Sequence, residues 1–235
     1  MKVNFLIIFS LYLNILPAFA GEEFITPSLS TLNELAKEAV AKKIEPRPNS
    51  KINILPQSLD GRQPPPRCIE PITATLATDR PIGRTNTVKI SCNSPDLAYP
   101  WQIYLSVRVE VLFPVVIANE IISPGEVLTL DQISTRYIDQ YSLRGDYYSQ
   151  ISDVVGTRVK RRVSKETPIL KRNLCFVCKG DAVSIWAITP SLQIKTLGEA
   201  MRDGNVGDVI RVKNTNSNKQ IDAIVIGVGE VEVKM

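Results

Sequence analysis

Residues 101–111 read Trp-Gln-Ile-Tyr-Leu-Ser-Val-Arg-Val-Glu-Val. Successive side chains of a strand point to opposite faces, so Ile103, Leu105, Val107, Val109 and Val111 share one face. Gln102, Ser106, Arg108 and Glu110 share the other. A helix would scatter the same five apolar residues around its circumference. The stretch is therefore a strand with one buried side, and its β-branched residues suit that role. Trp101 and Tyr104 read as core or edge packing rather than as a platform for a ligand.

Shorter runs of the same kind lie on either side. Residues 52–55, 72–76 and 87–91 read as strands, as do 115–118, 183–188 and 209–212. Residues 221–225 are the hairpin partner of 209–212 across a polar turn at 214–219, and 231–233 close the chain. Residues 155–170 have strand character around a turn at 166–168. Pro124-Gly125, Asp203-Gly204 and Gly207-Asp208 are turn signals. Sixteen prolines also favour short strands over long helices. Residues 137–150 are polar, Tyr-rich and loop-like, with room for one helical turn.

One segment is helical. Over residues 28–44, Leu32, Leu35, Ala36, Ala39 and Val40 form a single apolar stripe. Thr31 and Glu34 fit a capping box, and Glu45-Pro46-Arg47-Pro48 stops the helix. The fold class is mainly β with a minor helical component (α+β).

The first twenty residues are a different kind of segment. Lys2 is their only charge, residues 3–16 are mostly apolar, and Ala18-Phe19-Ala20 is a signal-peptidase site. Residues 1–20 are expected to be removed by cleavage between Ala20 and Gly21. The apolar run is short for a membrane span, and no later stretch approaches one, so no membrane insertion follows cleavage. About 215 mature residues exceed a single small core. Breaks near Leu112-Phe113-Pro114 and Asn173 divide them into 21–111, 112–172 and 173–235.

Composition removes several functions. Histidine is absent, which excludes Ser-His-Asp and Cys-His nucleophile systems and His-bearing zinc sites. No pair of acids has a spacing that suggests general acid and base, so no enzyme activity, metal or cofactor is expected. Without Lys2 the formal charge falls from +4 to +3, too mild for a nucleic-acid binder. The basic run Lys160-Arg161-Arg162 reads as a solvated strand edge. Cys175 and Cys178 form a C-x-x-C that lacks the helix start of a redox site and a second pair for zinc. It reads as structural, either a strained local disulfide or two buried thiols.

Against that background three groups of residues resemble one family. Ala118, Gly125, Glu126 and Asp131, then Gly156 and Pro168, look like a SAF domain. Its pattern implies a strand, a glycine turn with positive φ, a short helix capped by the aspartate and a returning strand. Lys165 stands where that pattern often has glycine. Leu59-Asp60, Arg62, Arg67-Cys68 and Pro71, then Gly83, Thr87-Val88, Cys92, Trp101 and Tyr104, resemble the N-terminal motif of the FlgA family. Gly204, Gly207, Asp208, Val212 and Asn214 resemble that family's closing motif. The likeness covers most of residues 50–235, in order.

The resemblance implies an N-terminal α+β domain, a SAF (β-clip) domain and a small C-terminal β-barrel-like domain. It implies a Cys68–Cys92 disulfide in the oxidising periplasm. It also implies a periplasmic chaperone that binds the flagellar P-ring subunit transiently and shields its assembly surfaces. The closing strands 221–225 and 231–233 are expected to offer free edges to that partner, and residues 112–114 to form a movable seam. Three rivals remain. A pilus-assembly factor with a SAF domain would keep its N-terminal anchor. A SAF-bearing enzyme would need a larger catalytic domain. A sugar-binding module would bring two exposed tryptophans into one groove.

Overall fold

The computed structural model describes residues 24–57, 64–189 and 192–233. The expected cleavage site at Ala20 and Gly21, and motif residues Leu59, Asp60 and Arg62, lie outside them. The order is β1 (Phe24–Ile25), α1 (Leu29–Ala41), β2 (Lys51–Pro56), β3 (Cys68–Leu76), β4 (Thr85–Asn93) and β5 (Trp101–Ala118). Then follow β6 (Ile133–Asp139), β7 (Arg158–Val159), β8 (Leu174–Cys175), β9 (Ala182–Thr189) and β10 (Leu192–Ala200). The last strands are β11 (Val209–Asn214), β12 (Gln220–Gly227) and β13 (Glu230–Val233). The fold is mainly β with one α-helix among the described residues. It separates into two compact units.

The first unit holds α1, β1, β3, nearly all of β4 and the first seven residues of β5. The strands are ordered β1-β3-β4-β5. Leu32, Ala36 and Val40 of α1 are fully buried, as are Val88, Ile90 and Val107 of the sheet. The apolar stripe is therefore a packing face. The helix begins one turn earlier than its expected capping box. Ser28 is the N-cap, and its Oγ accepts from the Thr31 amide at 3.0 Å. Glu34 pairs instead with Lys37 at 3.5 Å. Cys68 and Cys92 are bonded, with Cα atoms 5.7 Å apart. Tyr104 is more than half exposed, so it is not core packing: it sits on the polar face of the deciding strand.

In the second unit β5 continues without interruption. Leu112, Phe113 and Pro114 pair with Asp139, Ile138 and Tyr137 in one antiparallel ladder that runs to Ala118 and Ile133. The expected seam at residues 112–114 thus lies inside a continuous strand, although the period-two burial pattern ends at Val111 and residues 115–118 are buried throughout. Around this ladder Val116, Ile122, Leu128, Val154, Ile169 and Leu174 form a core. Residues 130–132 make a turn, not the expected short helix: Gln132 Oε1 accepts from the Thr129 amide at 3.2 Å and closes the loop. The strand character of 155–170 shrinks to β7 and single bridges at Val163, Pro168 and Leu170. Left-handed backbone at Gly156 (φ 83°) and Glu166 (φ 60°) interrupts the ladder. Glu166, not Lys165, takes the left-handed place in the turn closed by the Thr167 amide on Ser164 O, 3.2 Å. The Tyr-rich loop contains one 3-10 turn, Gln140–Ser142.

Strands β9 to β13 close into a barrel in the order β10-β11-β12-β13-β9. Strand β12 pairs on one side with β11 and on the other with β13, and β13 pairs in parallel with β9. The strands expected to offer free edges are therefore paired on both sides. Barrel closure removes the edge, which is what it does in small β-proteins generally. Strand β10 gave no period-two signal, because Ile194 and Leu197 have opposite parity around Gly198. A Cβ on Gly198 would lie 2.5 Å from Ile185 Cδ1 and 2.9 Å from the Lys213 carbonyl oxygen.

Candidate functional site

The motif residues of the second unit mostly organise backbone. The Ala118 amide donates to Thr167 O at 3.1 Å, and its carbonyl accepts from Glu166 at 2.7 Å. Pro168 bridges Ile117. Gly125 has φ 93° and donates to Val159 O at 2.7 Å. Glu126 Oε1 accepts from the Ser123 amide at 3.2 Å. A hydrogen bond from the Thr129 side chain, then one from the backbone amide of Asp131 itself, hold the Asp131 carboxyl below the usual range.

In the barrel, the Gly204 carbonyl accepts from both Phe176 and Val177 at 3.0 and 3.1 Å. A Cβ on Gly204 would meet Ile210 Cγ2 at 2.5 Å and Val225 Cγ2 at 2.9 Å. Gly207 has φ 91°. Asp208 Oδ2 accepts from the Asn205 amide at 2.9 Å. Val212 is core. Asn214 Oδ1 accepts from the amides of Asn216 and Ser217 at 2.9 and 3.0 Å, which shapes the 214–219 turn.

These turns position a cavity of about 490 Å³. Tyr148, Val155 and Phe176 line it with Val206, Ile226 and Val228, while Asp153 and Lys171 stand among them. The Tyr148 and Phe176 rings are 6.2 Å apart and tilted by 40°. Burial, then Asp153, Asp208 and Asp146, pushes the Tyr148 phenol up to about 12, so it stays neutral and can donate or accept a hydrogen bond. Val206 and Val228 are about half exposed. Asn205 donates from Nδ2 to Lys171 O at 3.1 Å, while its Oδ1 is buried without a hydrogen-bond partner among the described residues.

A smaller cavity of about 240 Å³ shares Phe176 and Val228 and adds Val127, Gly156 and Cys175. Arg158 and Asp181 pair at its rim, 3.3 Å apart. The disulfide Cys175–Cys178 lies beneath, its residues under a tenth exposed. Gly156 and Arg158 of the 155–163 stretch line the smaller cavity, while Val155, with Asn205 and Val206 of the closing run, lines the larger. The apolar lining was missed because it comes from single valines and aromatics in separate loops, which carry no local pattern. Such a surface suits an apolar side chain of a partner chain, with a neutral hydroxyl and rim charges to orient it.

Neither Trp101 nor Trp186 lines the cavities, and Lys195 Nζ lies over the Trp186 ring at 4.7 Å. Among the described residues no group of His, Cys, Asp or Glu is arranged to hold a metal, and no helix is long and apolar enough to cross a membrane.

Two family models match the chain in order. Residues 32–111 match the FlgA N-terminal domain, and residues 113–233 match the chaperone for flagella basal body P-ring formation. The flagellar protein FlgA of Agrobacterium fabrum is 27% identical over 115 residues, 48% of this chain and 71% of that one. FlgA of Rhizobium meliloti is 28% identical over 121 residues, 50% and 72% of the two chains. Among solved structures, Salmonella FlgA in its open form matches with TM-score 0.39 and 17% identity, over 71% of this chain and 85% of that one. FlgA from Thermotoga maritima matches with TM-score 0.41 and 18% identity, over 87% and 72%.

Proposed function

The chain belongs to the FlgA family of chaperones for flagella basal body P-ring formation, and from that premise we propose that it binds the P-ring subunit transiently in the periplasm. The match of its C-terminal half, residues 113–233, to the chaperone model is the observation that carries this reading. The action is steric. The chaperone covers an apolar assembly surface of the subunit and releases it when subunits meet at the rod.

The cavity around Tyr148, Phe176 and Val228 is the proposed contact, because partly exposed apolar residues with polar groups among them are what a releasable interface needs. A charge placed there would be desolvated on binding without a partner. Purified P-ring subunit should therefore bind Val228→Glu at least about tenfold more weakly than the native chain, since an unpaired buried charge costs well over the energy of one decade. Equal affinity measured by titration calorimetry would remove the cavity from the interface. No binding by the native chain would remove the proposed partner.

Export is part of the same proposal. The mature protein should begin at Gly21, after cleavage behind Ala20. N-terminal sequencing of protein released from the periplasm reads this directly, and an intact Met1 in the membrane fraction would overturn it.

A further inference from the structure

The basic run Lys160-Arg161-Arg162 is not a uniform solvated edge. Lys160 approaches Asp203 at 4.0 Å, while Arg162 lines a separate pocket of about 280 Å³ with Arg144 and Arg172. The three arginines come from three loops that backbone bonds bring together. The Lys171 amide donates to Asp146 O at 3.0 Å, and Tyr147 bridges Leu170. Val163 and Ile122 exchange amide bonds of 3.0 Å, which fixes the residue before Val163. Gly145 (φ 97°) lets Arg172 approach the loop: a Cβ there would stand 3.3 Å from Arg172 Nη1.

No acid lines this pocket; Ser142, Ser164 and Thr167 contribute hydroxyls. Among the described residues none of the three guanidiniums has a carboxylate within 4.0 Å. The neighbouring Glu166 is committed to Arg136 at 3.4 Å. Three exposed cations that line one pocket without a counter-charge repel one another weakly through solvent. An anion with several oxygens reverses that sign. A single carboxylate satisfies one guanidinium fork, whereas a phosphate group has the charge and the oxygens for all three.

We propose that the pocket formed by Arg144, Arg162 and Arg172 binds one phosphate group, carried by a soluble phosphomonoester or by the terminal phosphomonoester of a lipid such as phosphatidic acid. The site is separate from the proposed subunit contact and stands whether or not that contact is right.

The test uses the full mature chain at low ionic strength. Inorganic phosphate, followed by amide shifts in nuclear magnetic resonance, should saturate one site and move resonances of the three loops. Arg162→Gln and Arg172→Gln should each weaken binding about tenfold, as expected for the loss of a charge-assisted fork. Arg172→Lys should not restore it, because an ammonium lacks the planar fork. Exposed arginines are tolerant positions, and unchanged thermal unfolding of each variant confirms the fold. Co-sedimentation with phosphatidic acid vesicles but not phosphatidylglycerol vesicles, lost in both Gln variants, assigns a lipid phosphomonoester. Phosphate binding without co-sedimentation assigns a soluble ligand. The proposal is overturned if phosphate does not saturate, if the Gln variants bind it as well as the native chain, or if acetate or a glutamate-rich peptide competes as well as phosphate.

Discussion

Cells that lack this chain should build flagellar rods without P rings and should not swim. A ring subunit has to carry surfaces that pair with its own copies, so in the periplasm it is at risk of pairing too early. A chaperone lowers the concentration of free surface by mass action, and it costs nothing at the rod if its affinity is modest. Without it the subunit should still be made and exported, but it should be lost to aggregation or proteolysis before it reaches the rod. Two outcomes separate this mechanism from a structural role in the ring. Overproducing the subunit should restore some swimming to the deletion strain, because more copies then escape the side reaction. The native chain supplied from a plasmid should restore it fully, and Val228→Glu only partly. Electron microscopy of basal bodies reads the rings, and soft agar reads motility. A deletion strain with normal P rings and normal swimming would refute the functional proposal.

The sequence reveals this fold where one local period persists. Residues 101–111 announce a strand; their alternation ends at Val111, yet the strand runs on to Ala118 through residues 115–118, all of them buried. The stripe of α1 is legible for the same reason. The cap lies one turn earlier than expected because both Ser28 and Thr31 are cap residues; Ser28, the stronger of the two, takes the place, and Thr31 donates its amide to it. Barrel closure was not legible. It depends on the parallel pairing of Val231 with Ile185, residues 46 positions apart, and no local pattern encodes that contact. The cavities are further still from the sequence. Tyr148, Phe176 and Val228 come from three distant stretches of chain and meet beside two small cores. The arginine pocket mixes the two cases: Arg162 was visible as part of a basic run, and its companions Arg144 and Arg172 were not.

Replacing Cys68 and Cys92 together by alanine should lower the stability of the first unit by about 3.5 kcal/mol, the chain-entropy value for a loop of 24 residues. The bridge ties the start of β3 to the end of β4, next to the pair Ile69 and Asn93. It also secures the short β1, since Ile25 pairs with Cys68. Both cysteines are buried, so alanine is the right replacement: a serine hydroxyl there would add an unsatisfied polar group to the loss. The Cys175–Cys178 bridge spans only three residues, and the same model gives it about 2 kcal/mol. The two alanine pairs should therefore differ in urea unfolding, with the larger drop in midpoint for Cys68 and Cys92. Reducing agent added to the native chain should reproduce the sum of the two, and it should add nothing to a variant in which all four cysteines are replaced. If the pair at 68 and 92 lowers stability by no more than the pair at 175 and 178, loop closure is not what this bridge contributes. Its effect would then lie in local packing of β1 and β3.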